Sequence, residues 1–341
     1  MRFGEGIEEA IRSGRVPDSQ SIAAVVDASA ERLGARGVWR SERRLTEQLA
    51  GLGPLAPVAA EPGVTDILVN GDGLTWLDRG RGLERVPERD FANPEEVRRF
   101  AVRLAGLAGR RLDDSMPWVD GLLPGAIRLH AILPPLASDG TTVSLRLLRR
   151  STVRLEDLER VGMCSPAQSE RLRRMVAERE AFVVTGGTGA GKTTLLAALL
   201  GEVEKSERIL VVEDVLEMPL HAGHVVRLQA RPANVEGQGL VTLVDLVRQA
   251  LRMRPDRLVV GEVRGAEVRE LLLALNTGHE GGCCTLHANR PADVPARLEA
   301  LGALAGMSPA AVRAQVATAI KTVVHVARTP AGRMVTAVEE L

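Results

Sequence analysis

A chain of 341 residues with 44 basic and 44 acidic side chains has no formal net charge, so no global basic field draws it to nucleic acid. Aromatic residues make up 2% and Tyr is absent, which leaves few platforms for stacking single-stranded nucleic acid. The three cysteines are Cys164, Cys283 and Cys284; an adjacent pair supports neither a zinc cage nor a disulfide framework and fits a reducing compartment.

No N-terminal stretch has the charged-then-apolar layout of a signal peptide. No apolar run reaches the roughly 18 residues of a membrane span. The expectation is a soluble chain whose membrane contact is peripheral. Residues 1–44 are polar and rich in Ala and Arg, and read as a helical arm with Asp27 to Leu33 as its better helix. Residues 45–148 read as an α+β domain on a mostly antiparallel sheet. Its first strand is Val64 to Asn70, and Gly71-Asp72-Gly73 turns the chain into a second at Leu74 to Leu77. Asn93 caps a helix that runs to about Leu107, with Pro94 in the first position and Glu95 and Glu96 favouring the dipole. Strands follow at Gly125 to Leu133 and Thr141 to Leu148. Residues 149–164 read as a linker.

From residue 165 the pattern changes. A capped helix over Ser165 to Glu178 precedes apolar runs at Phe182–Thr185, Ile209–Glu213, Val225–Leu228, Leu258–Gly261 and Cys283–Leu286, with helices at Leu243–Met253 and Val268–Leu275. Strand–helix alternation of this kind predicts a parallel sheet covered on both faces. The first run opens directly into Gly186, Gly187, Thr188, Gly189, Ala190, Gly191, Lys192 and Thr193, with Thr194 next. That spacing is a phosphate-binding loop between a buried strand and a helix. Its glycines let successive N–H groups face the phosphates, Lys192 supplies a point charge, and the Thr193 hydroxyl can ligate Mg²⁺. The helix N-terminus behind adds partial positive charge. The fold class is therefore α/β: a RecA-like P-loop domain over residues 165–341, preceded by the α+β sheet domain. The implied cofactors are ATP and Mg²⁺.

Glu262 ends an apolar strand, where a P-loop ATPase needs a carboxylate to orient the attacking water; a plain strand-end charge is the other reading. Gly261 stands where many P-loop enzymes place a Mg²⁺-binding Asp. Glu213, Asp214 and Glu217 close a second strand, and since open α/β sheets place their sites at strand C-termini, they are expected at the same edge as Lys192. Glu213 and Glu217 are the stronger candidates of the three, and a turn cap is the alternative for either. His287 ends the last run and is placed to sense the γ-phosphate or a neighbouring subunit; His279 is a weaker candidate. Arg227, Arg231, Arg254, Arg264, Arg128 and Arg146 are the arginines considered for the γ-phosphate, and sequence does not choose among them.

Four motifs in order resemble the secretion ATPases of the type II/type IV superfamily: G-G-T-G-A-G-K-T-T (186–194), V-V-E-D-V-L-E (211–217), L-R-M-R-P-D-R-L-V-V-G-E-V-R-G (251–265) and T-G-H-E-G-G-C-C-T-L-H-A-N (277–289). G-L-G-P-L (51–55), T-D-I-L-V-N-G (65–71), D-G-L-L-P-G-A-I-R-L-H-A (120–131) and I-L-P-P-L (132–136) resemble most closely the tight-adherence (Tad/Flp) pilus assembly ATPases. The resemblance implies a homo-hexamer with ATP between the two domains of each subunit. It implies a cytoplasmic motor, peripheral at the inner face of the cell membrane, working on an inner-membrane platform protein of a pilus or secretion machine; zero net charge and few aromatics argue against stable nucleic-acid binding. It places Lys192 and Thr193 in the Walker A motif, Glu262 in Walker B, Glu213 and Glu217 in the acidic box and His287 in the His box. It matches Arg128 and Arg146 to first-domain arginines that approach the γ-phosphate. The chain departs from the type II secretion and type IV pilus extension branches in lacking their four-cysteine zinc insert. His130 stands where a small polar residue is expected, and Cys283 and Cys284 replace small or hydroxyl residues. A type IV secretion ATPase moving protein or DNA substrates is the nearest rival, and a nucleotide-binding regulator without turnover is another.

Overall fold

The computed structural model describes residues 51–80, 82–147, 153–218, 220, 223–233 and 237–341. The expected arm over 1–44 lies outside them. The chain separates into two units, Met1–Arg149 and Arg150–Leu341.

In the first unit a turn at Gly53–Leu55 leads into the short helix α1 (Ala56–Ala59). Strands β1 (Asp66–Val69), β2 (Thr75–Asp78) and β3 (Leu83–Arg85) precede helix α2 (Pro94–Leu107). Strands β4 (Trp118–Leu123), β5 (Ile127–Ile132) and β6 (Thr142–Leu147) follow it. The sheet order is β3-β2-β1-β6-β5-β4, with every pair antiparallel. The Asn93 side chain accepts from the Glu96 N–H, as the sequence predicts for the cap of α2. Val97, Phe100, Ala101, Leu104 and Ala105 recur at helical spacing and are buried, so α2 covers one face of the sheet. That face carries Ile67, Leu129, Ala131, Val143 and Leu145. Strand alternation sends Arg128, His130, Ser144 and Arg146 to the opposite face.

The second unit contains α3 (Leu155–Arg160), α4 (Pro166–Ala177), β7 (Phe182–Thr185), α5 (Lys192–Gly201), β8 (Arg208–Glu213) and β9 (His224–Gln229). It continues with α6 (Leu243–Ala250), β10 (Arg257–Val263), α7 (Glu267–Leu275), β11 (Cys283–Leu286), α8 (Val294–Leu304) and α9 (Pro309–Ala319). The hairpin β12 (Thr322–Thr329) and β13 (Gly332–Glu340) closes it. Residues 149–164, read as a linker, are corrected in part: Leu155, Leu158, Met163 and Cys164 are buried in the core of this unit.

The sheet order is β13-β12-β7-β11-β10-β8-β9, parallel throughout except for the antiparallel β12–β13 pair. Both faces are covered, which is why β7 reads as a continuous apolar run and not as an alternation. Phe182 and Val184 pack with α3, α4 and α5, while Ala181 and Val183 pack with α6 to α9. Leu195, Leu196, Leu199 and Leu200 on α5 are all buried, each stabilising by about 1.5–3 kcal/mol. The helix behind the phosphate loop is therefore held on all sides. No helix among the described residues is long and apolar enough to cross a membrane.

Cys283 and Cys284 fill core positions in β11. Burial pushes the Cys283 thiol up to about 12 and the Cys284 thiol higher still, so both act as small apolar side chains. At the amino end of β10, Arg257 is 1% exposed. Its Nε donates to Glu207 Oε2 at 2.8 Å, and its Nη2 to Glu207 Oε1 at 3.1 Å and the Val176 carbonyl at 2.8 Å. Removing Arg257 leaves the buried Glu207 carboxylate with only the half-exposed Arg179, at 3.4 Å, as a cationic partner. Arg257→Ala is expected to lower unfolding free energy by about 3–5 kcal/mol in urea titrations. A loss below about 1 kcal/mol would contradict that reading of the pair.

Candidate functional site

Parallel pairing sends β7, β8, β10 and β11 in one direction. The residues at their carboxyl ends therefore share one edge of the sheet, where open α/β folds place ligands. Gly186 follows β7 with φ +147°, and a Cβ there would lie 2.1 Å from the carbonyl oxygen of Val326 on β12. Only glycine fits. The loop then exposes Gly187, Thr188 and Gly189 and buries Ala190. Gly191 is the N-cap of α5, and Thr193 and Thr194 lie in the first turn, both half-buried. Lys192 is buried, and its Nζ donates to the carbonyls of Gly186 at 3.0 Å and Gly187 at 2.9 Å. Burial lowers its pKa, Arg264 adds to that, and Glu262 opposes it. The cradle therefore holds a partly desolvated cation among backbone dipoles, a state that an anion relieves.

Glu262 lies where the β10–β11 register shifts between Val260 and Val263. Such irregularities re-aim a side chain. Thr285 Oγ1 anchors the shift by donating to the Gly261 carbonyl at 2.6 Å. Arg264 Nη2 donates to Glu262 Oε2 at 2.5 Å, and buried Glu267 holds the loop by accepting from the Arg264 and Gly265 N–H groups. His287 Nε2 approaches Glu262 Oε1 to 2.7 Å, but without hydrogen-bond alignment, so Oε1 remains a buried acceptor with capacity to spare. Burial lowers the His287 pKa, with Lys192 adding and Glu262 opposing, which favours the neutral imidazole.

Glu213, at the end of β8, is 4% exposed. Its Oε1 accepts from the backbone N–H groups of Glu217 at 3.2 Å and Met218 at 3.0 Å, and its Oε2 is buried without a described partner. Burial pushes this carboxyl up to about 7, against the two N–H donors and Arg227. Gly261 has its explanation here. A Cβ at 261 would meet Glu213 Cγ at 2.7 Å, so the space an Asp would need is filled by the Glu213 stem. Among the described residues no cluster of three or more His, Cys, Asp or Glu is placed to hold a metal ion by itself. The glycine-built cradle and the two orphaned carboxylate oxygens fit a hydrated Mg²⁺ carried with a phosphate and Thr193.

The structure thus gathers Lys192, Thr193, Glu213, Glu217, Glu262 and His287 at one edge. His279 precedes β11, lies at the opposite edge and binds the Ala274 carbonyl at 3.2 Å. Arg254 precedes β10 on that far side too. Arg227 ties the acidic loop through the Met218 and Leu220 carbonyls, and Arg231 binds the Gly239 carbonyl. In the first unit Arg128 and Arg146 are direct cross-strand partners. Arg128 faces Asp120 at 3.6 Å, Arg146 binds Asp66 at 3.0 Å, and His130 approaches Asp120 at 3.2 Å. Sequence reasoning missed His325 on β12. It is 6% exposed, and its Nδ1 meets Thr185 Oγ1 at 2.8 Å, directly beneath Gly186. The apolar run 322–327 and the Pro-Ala-Gly turn at 330–332 were the signals for that hairpin.

A P-loop at the edge of a RecA-ordered parallel sheet, with carboxylates at the neighbouring strand ends, defines a nucleotide-binding protein. The chain belongs to the type II/IV secretion system protein family, whose model matches residues 48–335. It is 55% identical over 307 residues to a putative conjugal transfer protein of Mycobacterium tuberculosis, covering 88% of this chain and 87% of that one. It is 31% identical to the type IV secretion system protein VirB11 of Brucella suis, covering 70% of this chain and 72% of that one. The crystal structure of the pilus retraction motor PilT with bound ADP shares the fold, with a TM-score of 0.62 at 21% identity over 84% of this chain and 81% of that one.

The Glu213 carboxyl binds its proton more tightly when folded than its ordinary value of 4.5 allows. Its contribution to stability is full below pH 4.5 and is lost as pH rises to about 7. Melts from about pH 5 to about pH 8 should show Glu213→Gln gaining on the wild type as pH rises, then a constant gap above about 7. A pH-independent gap would contradict the burial of this group.

Proposed function

We propose that the chain is an ATP-hydrolysing motor of a secretion or pilus-assembly machine. One observation carries this reading: the Glu262 carboxylate, fixed by Arg264 and flanked by His287, stands at the same sheet edge as the Lys192 cradle. Bound Mg·ATP would supply the phosphoanhydride bond and the charge that neutralises it. Gly186 to Thr194 would bind and orient the phosphates, Lys192 would supply their counter-charge and the Thr193 hydroxyl would be a ligand for the metal. Glu262 uses its open oxygen to orient water. Glu213, titrating near neutrality, is suited to hold a proton next to that water, and Glu217 fixes it through its backbone N–H. Neutral His287 stands against Glu262 without adding a competing cation. The family resemblance matches Arg128 and Arg146 to arginines that act on the γ-phosphate, a role that each would take from its present carboxylate partner, Asp120 or Asp66. A hexamer acting at the cytoplasmic face of the membrane, against an inner-membrane platform protein, is the assembly the family resemblance supports.

The motifs at 51–55, 65–71 and 120–136 favour Tad/Flp pilus assembly as the work done. The conjugal-transfer relatives favour a second reading, in which the motor moves protein or DNA through a type IV machine. Neighbouring genes for a pilin and its peptidase would decide for the first.

Steady-state hydrolysis and equilibrium binding test the chemistry. Lys192→Ala is expected to lose ATP binding, and Glu262→Gln to bind ATP without turning it over. Arg128→Ala or Arg146→Ala should lower kcat at least roughly tenfold, about 1.4 kcal/mol of barrier, with an unchanged melt. Near wild-type turnover by Glu262→Gln would overturn the catalytic assignment.

A further inference from the structure

Residues 150–341 contain a single aromatic side chain, Phe182. It is 1% exposed, sealed inside β7. A nucleotide held by Gly186 to Thr194 therefore finds no accessible Phe, Tyr or Trp face in this unit on which to rest its base, and the imidazole at this edge, His287, stands against Glu262. The next best stacking surface that proteins offer a base is the planar, weakly hydrated guanidinium group.

We propose that Arg333 is the platform for the purine base, an assignment that rests on the nucleotide-binding reading above. The hairpin register makes the case. Val326 and Val335 face each other across β12 and β13, and both lie in the core beneath α5. Two residues along each strand, Arg328 and Arg333 face each other on that same side. There the core has ended and the first turn of α5 begins. The Arg333 stem crosses the last glycine of the phosphate loop: a Cβ at Gly191 would meet Arg333 Cδ at 3.3 Å, and Met163 Cε from the other side at 3.2 Å. Met163 is pinned there by accepting from the Val335 N–H at 2.7 Å.

The Arg333 side chain is exposed, and its guanidinium makes no hydrogen bond or ion pair with a described residue. Three other arginines near this edge are engaged, while Arg297 is exposed on α8 close to His287. Arg264 holds Glu262, Arg290 binds Asp293, and Arg227 binds two carbonyls. Phosphates cradled by the loop N–H groups leave the base one ribose beyond the N-terminus of α5, within an arginine side chain's reach of Gly191. Stacking on a guanidinium reads a π-face and not a base edge, so the contact tolerates any purine.

The test is calorimetric titration of the full chain with Mg·ATP, Mg·GTP and inorganic tripolyphosphate. Tripolyphosphate carries the phosphate charge but no base. Arg333→Ala should weaken ATP and GTP binding alike, by about tenfold, and leave tripolyphosphate affinity unchanged. Arg333→Lys should behave like Arg333→Ala, because the charge is kept and the plane is lost. Unchanged tripolyphosphate binding also shows that the variants fold. Equal losses for ATP and tripolyphosphate, with rescue by lysine, would make Arg333 a phosphate contact and overturn the proposal. Undiminished ATP binding would overturn it as well. Wild-type protein that binds tripolyphosphate but not ATP would refute a base platform while keeping the cradle, and wild-type protein that binds neither would refute the nucleotide reading itself.

Discussion

A buried lysine is the constraint on which the site depends. Lys192 leaves water for a pocket where the carbonyls of Gly186 and Gly187 are its hydrogen-bond partners. Carbonyl dipoles compensate a buried ammonium only in part. Glu262 opposes the fall in the lysine pKa without cancelling it. Phosphate oxygens answer the same need more completely. An anion at this cradle would relieve a cation that its carbonyl partners leave incompletely paired.

The surrounding packing fixes that arrangement. Gly186 has no room for a side chain because β12 runs beside β7 and brings the Val326 carbonyl against it. His325, one residue earlier, joins β12 to Thr185 beneath the loop. On the other side Glu213 folds its stem over Gly261, and burial lifts its carboxyl to about 7. The shifted β10–β11 pairing turns Glu262 toward His287. Each of these is a contact between adjacent strand ends, so the chemistry is written in sheet order. A strand swapped out of that order would scatter the group.

Much of this was legible in the sequence, and the legible parts share a physical cause. β7 and β11 were predicted with their observed bounds because two-faced burial produces unbroken apolar runs. The cap of α2 was predicted because Asn93-Pro94-Glu95-Glu96 stacks three N-terminal signals. Lys192, Glu213, Glu262 and His287 were singled out because they stand at or just beyond the ends of apolar runs, and the structure brings them to one sheet edge. The short β3 and the edge strand β4 were missed, since Leu83 and Trp118 stay exposed and give weak patterns. The β12–β13 hairpin was missed although its apolar run was visible, and with it His325 and Arg333. Neither belongs to a motif. Their roles come from register across strands distant in sequence, which spacing along the chain does not encode. The role of Gly261 was equally hidden, because what excludes a side chain there is Glu213, 48 positions earlier in the chain (261 − 213 = 48).

The most direct measurement is a crystal structure of this protein with Mg²⁺ and a non-hydrolysable ATP analogue. The account predicts that Lys192 Nζ leaves the Gly186 and Gly187 carbonyls for the β- and γ-phosphate oxygens, with Thr193 Oγ1 on the metal and a water between Glu262 and the γ-phosphate. Nucleotide bound elsewhere, with Lys192 still on its two carbonyls, would contradict it.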